Sequence, residues 1–140
     1  MSYKYLDHRA DVGVLIESDS LKGAFVDGAK ALFNLMVNIA KVERKDKVDL
    51  EVSGTSVDKV FVEWLNELIA QADIHNMVFC DFDVDIKPAK GGFSVRGAAW
   101  GDIIDAKKHE IKSEVKGATY YGLRYEKKGG KHIIQCVLDM

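Results

Sequence analysis

Two glycine pairs, Gly91–Gly92 and Gly129–Gly130, divide the second half of the chain into runs that can pair as hairpins. The runs on either side of the pairs are Val78–Ile86, Phe93–Ala99, Val115–Glu126 and His132–Leu138. Alternation of apolar and polar residues is typical of half-buried strands, and a glycine pair between two such runs indicates a hairpin turn. The sequence therefore predicts two hairpins in the second half.

The first half of the chain contains two stretches whose apolar residues repeat with the 3.6-residue period of a helix. The first begins after Asp19 or Ser20, either of which can act as the N-cap, and the second begins after Thr55 or Ser56. The apolar faces consist of Leu21, Phe25, Ala29, Leu32, Phe33 and Met36 in the first helix, and of Val57, Val60, Phe61, Trp64, Leu65, Leu68 and Ile69 in the second.

Shorter apolar runs predict three further strands, at Tyr3–Leu6, Val12–Ser18 and Val48–Val52. Pro88 is expected just past a strand, where its missing N–H does little harm. With 140 residues, 47% of them hydrophobic, the chain can bury one core. The predicted fold class is α+β: a single domain over residues 1–140, with two amphipathic helices packed on a largely antiparallel β-sheet.

Composition excludes several classes of protein. No apolar run approaches the roughly 20 residues of a membrane-spanning helix, and the polar start lacks a signal-peptide core. We therefore expect a cytoplasmic protein without membrane contact. The net charge of −2 argues against strong direct binding to nucleic acid. Cys80 and Cys136 form no C-x-x-C pair, and we expect both to be reduced, buried thiols on strands.

One tempting motif is a false phosphate-binding loop. Residues Gly23–Lys30 read G-x-x-x-x-G-A-K, but Ala29 stands where such a loop needs lysine. The stretch also lies inside the first amphipathic helix, so we expect no nucleotide site there.

A second tempting motif is an acidic series that starts like a calcium-binding EF-hand loop. Asp81, Asp83 and Asp85 have the right spacing, but Ile86 and Gly92 stand where that loop needs glycine and glutamate. Alternation with apolar residues predicts a strand with a solvated acidic face instead.

The two ends of the chain are unusual for purely structural segments. Asp7–Val14 gathers charged residues between two strand-like runs, and the apolar strand Val137–Met140 carries an acidic residue beside its last position. Asp11 and Asp139 offer carboxylate oxygens, and Met140 offers a carbonyl or terminal carboxylate oxygen, which suit a hard cation such as calcium. From spacing alone the alternative is that Asp11 caps a turn and Asp139 is solvated.

These segments resemble the archease family. The resemblance covers essentially the whole chain, and its blocks occur in the family's order. They are Asp7–Gly13 (DHRADVG), Trp64–Leu68 (WLNEL), His109 followed by Glu114–Tyr120 (EVKGATY), and Val137–Met140 (VLDM). Arg9 stands where the family usually has threonine, and Gly117 where it has alanine; neither change removes a metal-binding group.

The resemblance implies a non-enzymatic accessory protein for RtcB-type RNA ligases, which use GTP and metal to join tRNA halves during splicing. Such proteins are thought to promote guanylylation of the ligase and its multiple turnover. The resemblance also implies a bound divalent ion, expected to be calcium, held by Asp11, Asp139 and Met140.

Other residues receive alternative interpretations. Lys116 and His109 could contact the ligase or a phosphate, although a lysine on an alternating strand usually lies on its solvated face. Glu67 is either a partner contact or part of the polar face of the second helix. Asp7 and His8 are expected to shape the metal loop, with the imidazole orienting a carboxylate.

Two other functions remain open. One is a chaperone-like modulator of a tRNA cytosine-5 methyltransferase or another tRNA-processing enzyme. The other is a metal-dependent hydrolase centred on Asp11 and Asp139, which would need a general base, and His8 is the one candidate that the sequence offers.

Overall fold

The computed structural model describes residues 2–7 and 11–140, with the main chain alone for Asp7. In chain order the elements are β1 (Ser2–Asp7), β2 (Asp11–Ser18), α1 (Leu21–Met36), β3 (Asp46–Gly54), α2 (Val57–His75), β4 (Met77–Ala89), β5 (Gly92–Ile103), β6 (Gly117–Lys128) and β7 (Lys131–Asp139). A single turn of 3₁₀-helix, Ile39–Lys41, follows α1.

The strands divide between two antiparallel sheets. One has the order β1-β2-β7-β6 and the other the order β3-β5-β4. The helix α1 contacts β2 of the first sheet and β4 of the second, while α2 contacts β6 and β3. Each helix therefore packs against both sheets, and the predicted α+β class with antiparallel sheet is confirmed.

Both helices begin where the sequence predicts. The hydroxyl of Ser20 accepts a hydrogen bond of 2.9 Å from the N–H of Gly23, which caps α1. Ser56 occupies the N-cap position of α2, although its hydroxyl bonds to Asp58 rather than to the main chain. At the other end of α2, Asn76 adopts a left-handed conformation with φ of 54°.

Trp64 of α2 lies at the centre of the core and is fully buried. Its indole N–H donates to the carbonyl oxygen of Phe25 in α1, at 3.0 Å, which ties the two helices together. Its ring lies so close to Gly97 of β5 that a Cβ atom at that glycine would overlap the ring. The position of β5 under α2 therefore depends on glycine at residue 97.

Three smaller predictions can be compared with the structure. Gly23 and Gly28 are buried within α1, so the stretch resembling a phosphate loop is helix, as expected. The strand β4 continues through Pro88, so the prediction that this residue lies past the strand was wrong; β4 is an edge strand and tolerates the missing N–H. Cys136 is fully buried, but Cys80 is only half-buried.

The acidic series of β4 lies on the solvent side of the second sheet, as predicted. Asp81 pairs with Arg44 at 2.7 Å, and Asp83 pairs with Lys22 at 2.8 Å.

Among the described residues, no helix is both long and apolar enough to cross a bilayer.

Candidate metal centre

Asp11 and Asp139 are direct partners in the antiparallel pairing of β2 with β7. Directly opposed residues of such a pair project from the same face, with Cβ atoms about 4.5–5.5 Å apart. The residues that point to the other face of these strands, such as Val14, Ile16 and Leu138, are buried in the core. The two carboxylates therefore lie side by side on the outer face of the four-stranded sheet.

The last residues of the chain are packed rather than loose. Val137 and Leu138 are buried, and Met140 packs against the core while remaining partly exposed. The N–H of Lys116 donates to the main-chain carbonyl oxygen of Asp139 at 2.7 Å, which holds the end of β7 against the start of β6. The end of β7 that carries Asp139 is thus held in place.

Asp11, Asp139 and Met140 form one corner of the four-stranded sheet, and the oxygen atoms that they offer suit a hard cation. Like charges directly opposite each other across a strand pair are destabilising, and a cation between them removes that cost. Within residues 2–7 and 11–140, neither Asp11 nor Asp139 forms an ion pair with another side chain. In the same part of the chain, no three histidine, cysteine or carboxylate side chains form a metal-binding group. A cation here would therefore also need the oxygens of Met140 or water.

The start of β6 completes the corner. Gly117 is the partner of Asp139 in the β6–β7 pairing, and the side chain of Lys116 next to it is exposed. The N–H of the following residue, Ala118, donates to the side-chain oxygen of Asn66 in α2 at 2.7 Å. The side-chain N–H of Asn66 donates in turn to the carbonyl oxygen of Ala118 at 3.1 Å. Two elements besides β2 and β7 thus shape the site.

The predicted accessory residues lie in different places. Glu67 is half-buried on α2 and accepts a hydrogen bond of 2.9 Å from Gln71. Asp7 ends β1 opposite Val12, and His8 lies outside the described residues. The roles proposed for Glu67, Asp7 and His8 remain predictions.

His109 does not face solvent. Its side chain is fully buried, and its Nδ1 accepts a hydrogen bond of 3.1 Å from the N–H of Asp105. Its Nε2 has no hydrogen-bond partner within the described part of the chain, and Asp102 Oδ2 lies 3.9 Å away. A direct contact between His109 and a ligase or a phosphate would require the 105–109 turn to open.

The buried Asp102 anchors that turn through a second contact. Its carboxylate accepts a hydrogen bond of 2.6 Å from the ammonium group of Lys108, which also contacts Glu43 at 3.0 Å. The Lys108 ammonium lowers the pKa of Asp102, and the same bond raises the pKa of Lys108. Residues 112 and 113 continue from the turn to the end of α1, where their N–H groups donate to the carbonyl oxygens of Met36 and Leu35.

Sequence reasoning did not single out Asn66 or Asp102. A short amide in the middle of a helix has low helix propensity, and this feature of Asn66 is a readable signal for a tertiary hydrogen bond. Asp102 gave no signal, because its partner Lys108 lies six residues away in a segment without periodicity.

Comparison with known proteins finds relatives along nearly the whole chain. The family model of the Archease protein family (MTH1598/TM1083) matches residues 3–140. Protein archease of Pyrococcus furiosus is 37% identical over 139 residues, covering 99% of this chain and 98% of that protein. Protein archease of Methanopyrus kandleri is 31% identical over 140 residues, covering all of both chains.

Two solved structures share the fold. The solution structure of Methanobacterium thermoautotrophicum protein 1598 has a TM-score of 0.86 and 26% identity, covering 99% of this chain and 98% of that one. The crystal structure of an archease from Thermotoga maritima, described as a possible chaperone, has a TM-score of 0.63 and 16% identity, covering 98% and 96%.

The fold and the corner define a small two-sheet α+β protein in which the start of β2 and the end of β7 bring two carboxylates together. Since the family model spans nearly the whole chain and relatives above 30% identity cover nearly all of it, the chain belongs to the archease family.

Proposed function

We propose that this chain is a metal-binding accessory protein that activates an RtcB-type RNA ligase in tRNA splicing. In this proposal it promotes guanylylation and multiple turnover of the ligase and joins no RNA itself. The observation that carries the proposal is the direct pairing of Asp11 with Asp139 on an outer sheet face. Membership of the archease family supports the choice of partner.

The carboxylates of Asp11 and Asp139, with an oxygen of Met140, would hold the cation, expected to be calcium. A bound divalent cation supplies positive charge that can neutralise phosphate oxygens during nucleotidyl transfer. The protein's own contribution is to keep the two carboxylates adjacent and outward-facing. The main-chain bond from Lys116 to Asp139 and the packing of Met140 reduce the movement of that corner.

The exposed side chain of Lys116 lies beside the same corner. An ammonium group there could bind a phosphate or an acidic group of the ligase, since lysine acts as a mobile point charge. The turn around the buried His109 is connected to Lys116 by residues 110–115 and to the rest of the fold by Asp102 and Lys108. In this proposal His109 supports the segment rather than touching the partner.

A second candidate function is supported by the description of the Thermotoga maritima relative as a possible chaperone. A chaperone-like modulator of a tRNA cytosine-5 methyltransferase would stabilise its client rather than raise the ligase's turnover. The hydrolase alternative stays a prediction, because its one candidate base, His8, lies outside the described residues.

Ligation under multiple-turnover conditions tests the proposal. The cognate RtcB-type ligase is supplied with GTP, manganese and RNA ends, with or without this protein. The expected result is faster ligation and more guanylylated ligase with the protein present, and no ligation by the protein alone. Unchanged ligation, together with greater methyltransferase stability in its presence, would favour the chaperone-like function.

A further inference from the structure

The side-chain amide of Asn66 forms with β6 the pair of hydrogen bonds that a neighbouring strand would form. Its amide makes two hydrogen bonds to one residue of β6, accepting from the N–H of Ala118 at 2.7 Å and donating to its carbonyl oxygen at 3.1 Å. A paired strand offers a donor and an acceptor to a single residue in the same way. The amide thereby closes the outer edge of β6, which is the last strand of its sheet.

The helix that carries Asn66 is firmly seated at this point. Its neighbours Trp64, Leu65 and Leu68 are fully buried, so the helix is fixed relative to the core. An amide on a fixed backbone can restrain the strand that it contacts. The restrained residue, Ala118, follows immediately after the two residues that hold Asp139.

Those two residues connect Asn66 to the candidate metal centre. Lys116 donates its N–H to the carbonyl oxygen of Asp139, and Gly117 is the strand partner of Asp139. Just beyond, the regular pairing of β6 with β7 is interrupted between Thr119 and Arg124. The start of β6 is therefore a short paired segment with an irregularity behind it, and the restraint from α2 acts on that segment.

We propose that Asn66 is a positioning residue that fixes the start of β6 and so maintains the main-chain hydrogen bond between Lys116 and Asp139. Its effect on metal binding rests on the proposed function, whereas its effect on the main chain of the corner does not. Without the amide, the N–H and carbonyl of Ala118 lose their partners, and the short segment before the irregularity separates from β7 more often.

Amide hydrogen exchange, followed residue by residue by NMR, tests this in the full chain. Asn66→Ala removes both hydrogen bonds, and Asn66→Asp keeps the shape but turns the donor into an oxygen facing the carbonyl of Ala118. Both variants are expected to speed exchange of the Lys116 amide about tenfold or more, while the amide of the buried Ile134 in the centre of β7 is unchanged.

Gln71→Ala is the matched control, because it removes an amide from the same helix whose hydrogen bonds go to Glu67 and His75. It should leave the Lys116 amide as in wild type. Equal acceleration at Lys116 and Ile134 would mean that Asn66 stabilises the whole fold, which would overturn the proposal. Wild-type exchange in either Asn66 variant would overturn it as well.

Calcium titration of the same proteins separates this inference from the proposed function. If wild type binds calcium, Asn66→Ala should weaken binding about tenfold to a hundredfold, as loss of a supporting contact behind metal ligands does. If Asn66→Ala binds calcium as tightly as wild type although its Lys116 amide exchanges faster, the proposed link between Asn66 and metal binding is wrong. A wild type that binds no calcium would contradict the metal proposal, and the exchange result would still decide the role of Asn66 in the main chain.

Discussion

Asp11 and Asp139 lie directly opposite each other in the pairing of β2 with β7, although they are far apart in the sequence. The pairing places two negative charges side by side, and within the described part of the structure neither carboxylate forms an ion pair. The buried positions Val14 and Leu138 on the other face fix the register, because a slip of one residue would expose them. Burial of the core residues on the inner face therefore keeps the two carboxylates opposite each other.

Asp11→Asn should lower calcium affinity more than about tenfold, since it removes the charge of one of the two aspartate ligands without changing the size of the side chain. Isothermal titration calorimetry measures the effect. Asp49→Asn is the matched control, because the Asp49 side chain is 78% exposed and lies on the other sheet. Equal affinity of wild type and Asp11→Asn would remove Asp11 from the site.

Asp102→Asn should lower the melting temperature at neutral pH, and the difference from wild type should shrink in acid. The Lys108 ammonium depresses the pKa of Asp102 in the folded protein below the ordinary value of an aspartate side chain. A depressed carboxyl pKa contributes stability above the unfolded pKa, and the contribution is lost as pH falls through the folded pKa. Thermal unfolding from neutral pH to pH 2 measures this; a difference that is constant over the whole range would contradict it.

Gly97→Ala should destabilise the fold by about 1–3 kcal/mol, because the added methyl group overlaps the buried ring of Trp64. Urea unfolding measures the free energy. In a double-mutant cycle, Trp64→Phe should relieve part of the loss by giving the methyl group space. Strictly additive effects of the two substitutions would show that the ring is not what excludes a side chain at residue 97.

Both cysteines should react slowly with iodoacetamide at pH 8 in the folded protein. Burial raises the pKa of Cys136 to about 12 and also raises that of Cys80, so little thiolate is present at either. Unfolding in guanidinium should make both react at the rate of a free thiol. Mass spectrometry counts the labels, and rapid labelling of native Cys136 would contradict its burial.

The elements of the fold were predictable because their signals are local. The helix that begins after Ser20 shows the 3.6-residue period and an N-cap, and the hairpins around Gly91 and Gly129 show alternation and glycine turns. The extension of β4 through Pro88 was missed, because an edge strand tolerates a residue that the sequence pattern treats as a break. The division into two sheets was not specified, since it depends on which strands meet across the core.

The candidate site was predictable only in part. The residue types of Asp11 and Asp139 suggest a cation, but their direct pairing depends on the contact between β2 and the last strand, β7. The amide of Asn66 and the burial of His109 were not anticipated, because both depend on how α2 and the 105–109 turn pack against distant segments. The mid-helix amide of Asn66 signals a tertiary hydrogen bond without identifying its partner, and no local pattern indicates the burial of His109.

The most direct test of the central claim is the multiple-turnover ligation rate with Asp139→Asn in place of wild type. The substitution keeps the main-chain bond from Lys116 and the packing of Met140, so the fold should be retained, as circular dichroism would verify. The account predicts that Asp139→Asn loses most of the stimulation while Asp49→Asn stimulates like wild type. Full stimulation by a folded Asp139→Asn protein would contradict the claim that the carboxylate pair serves the ligase.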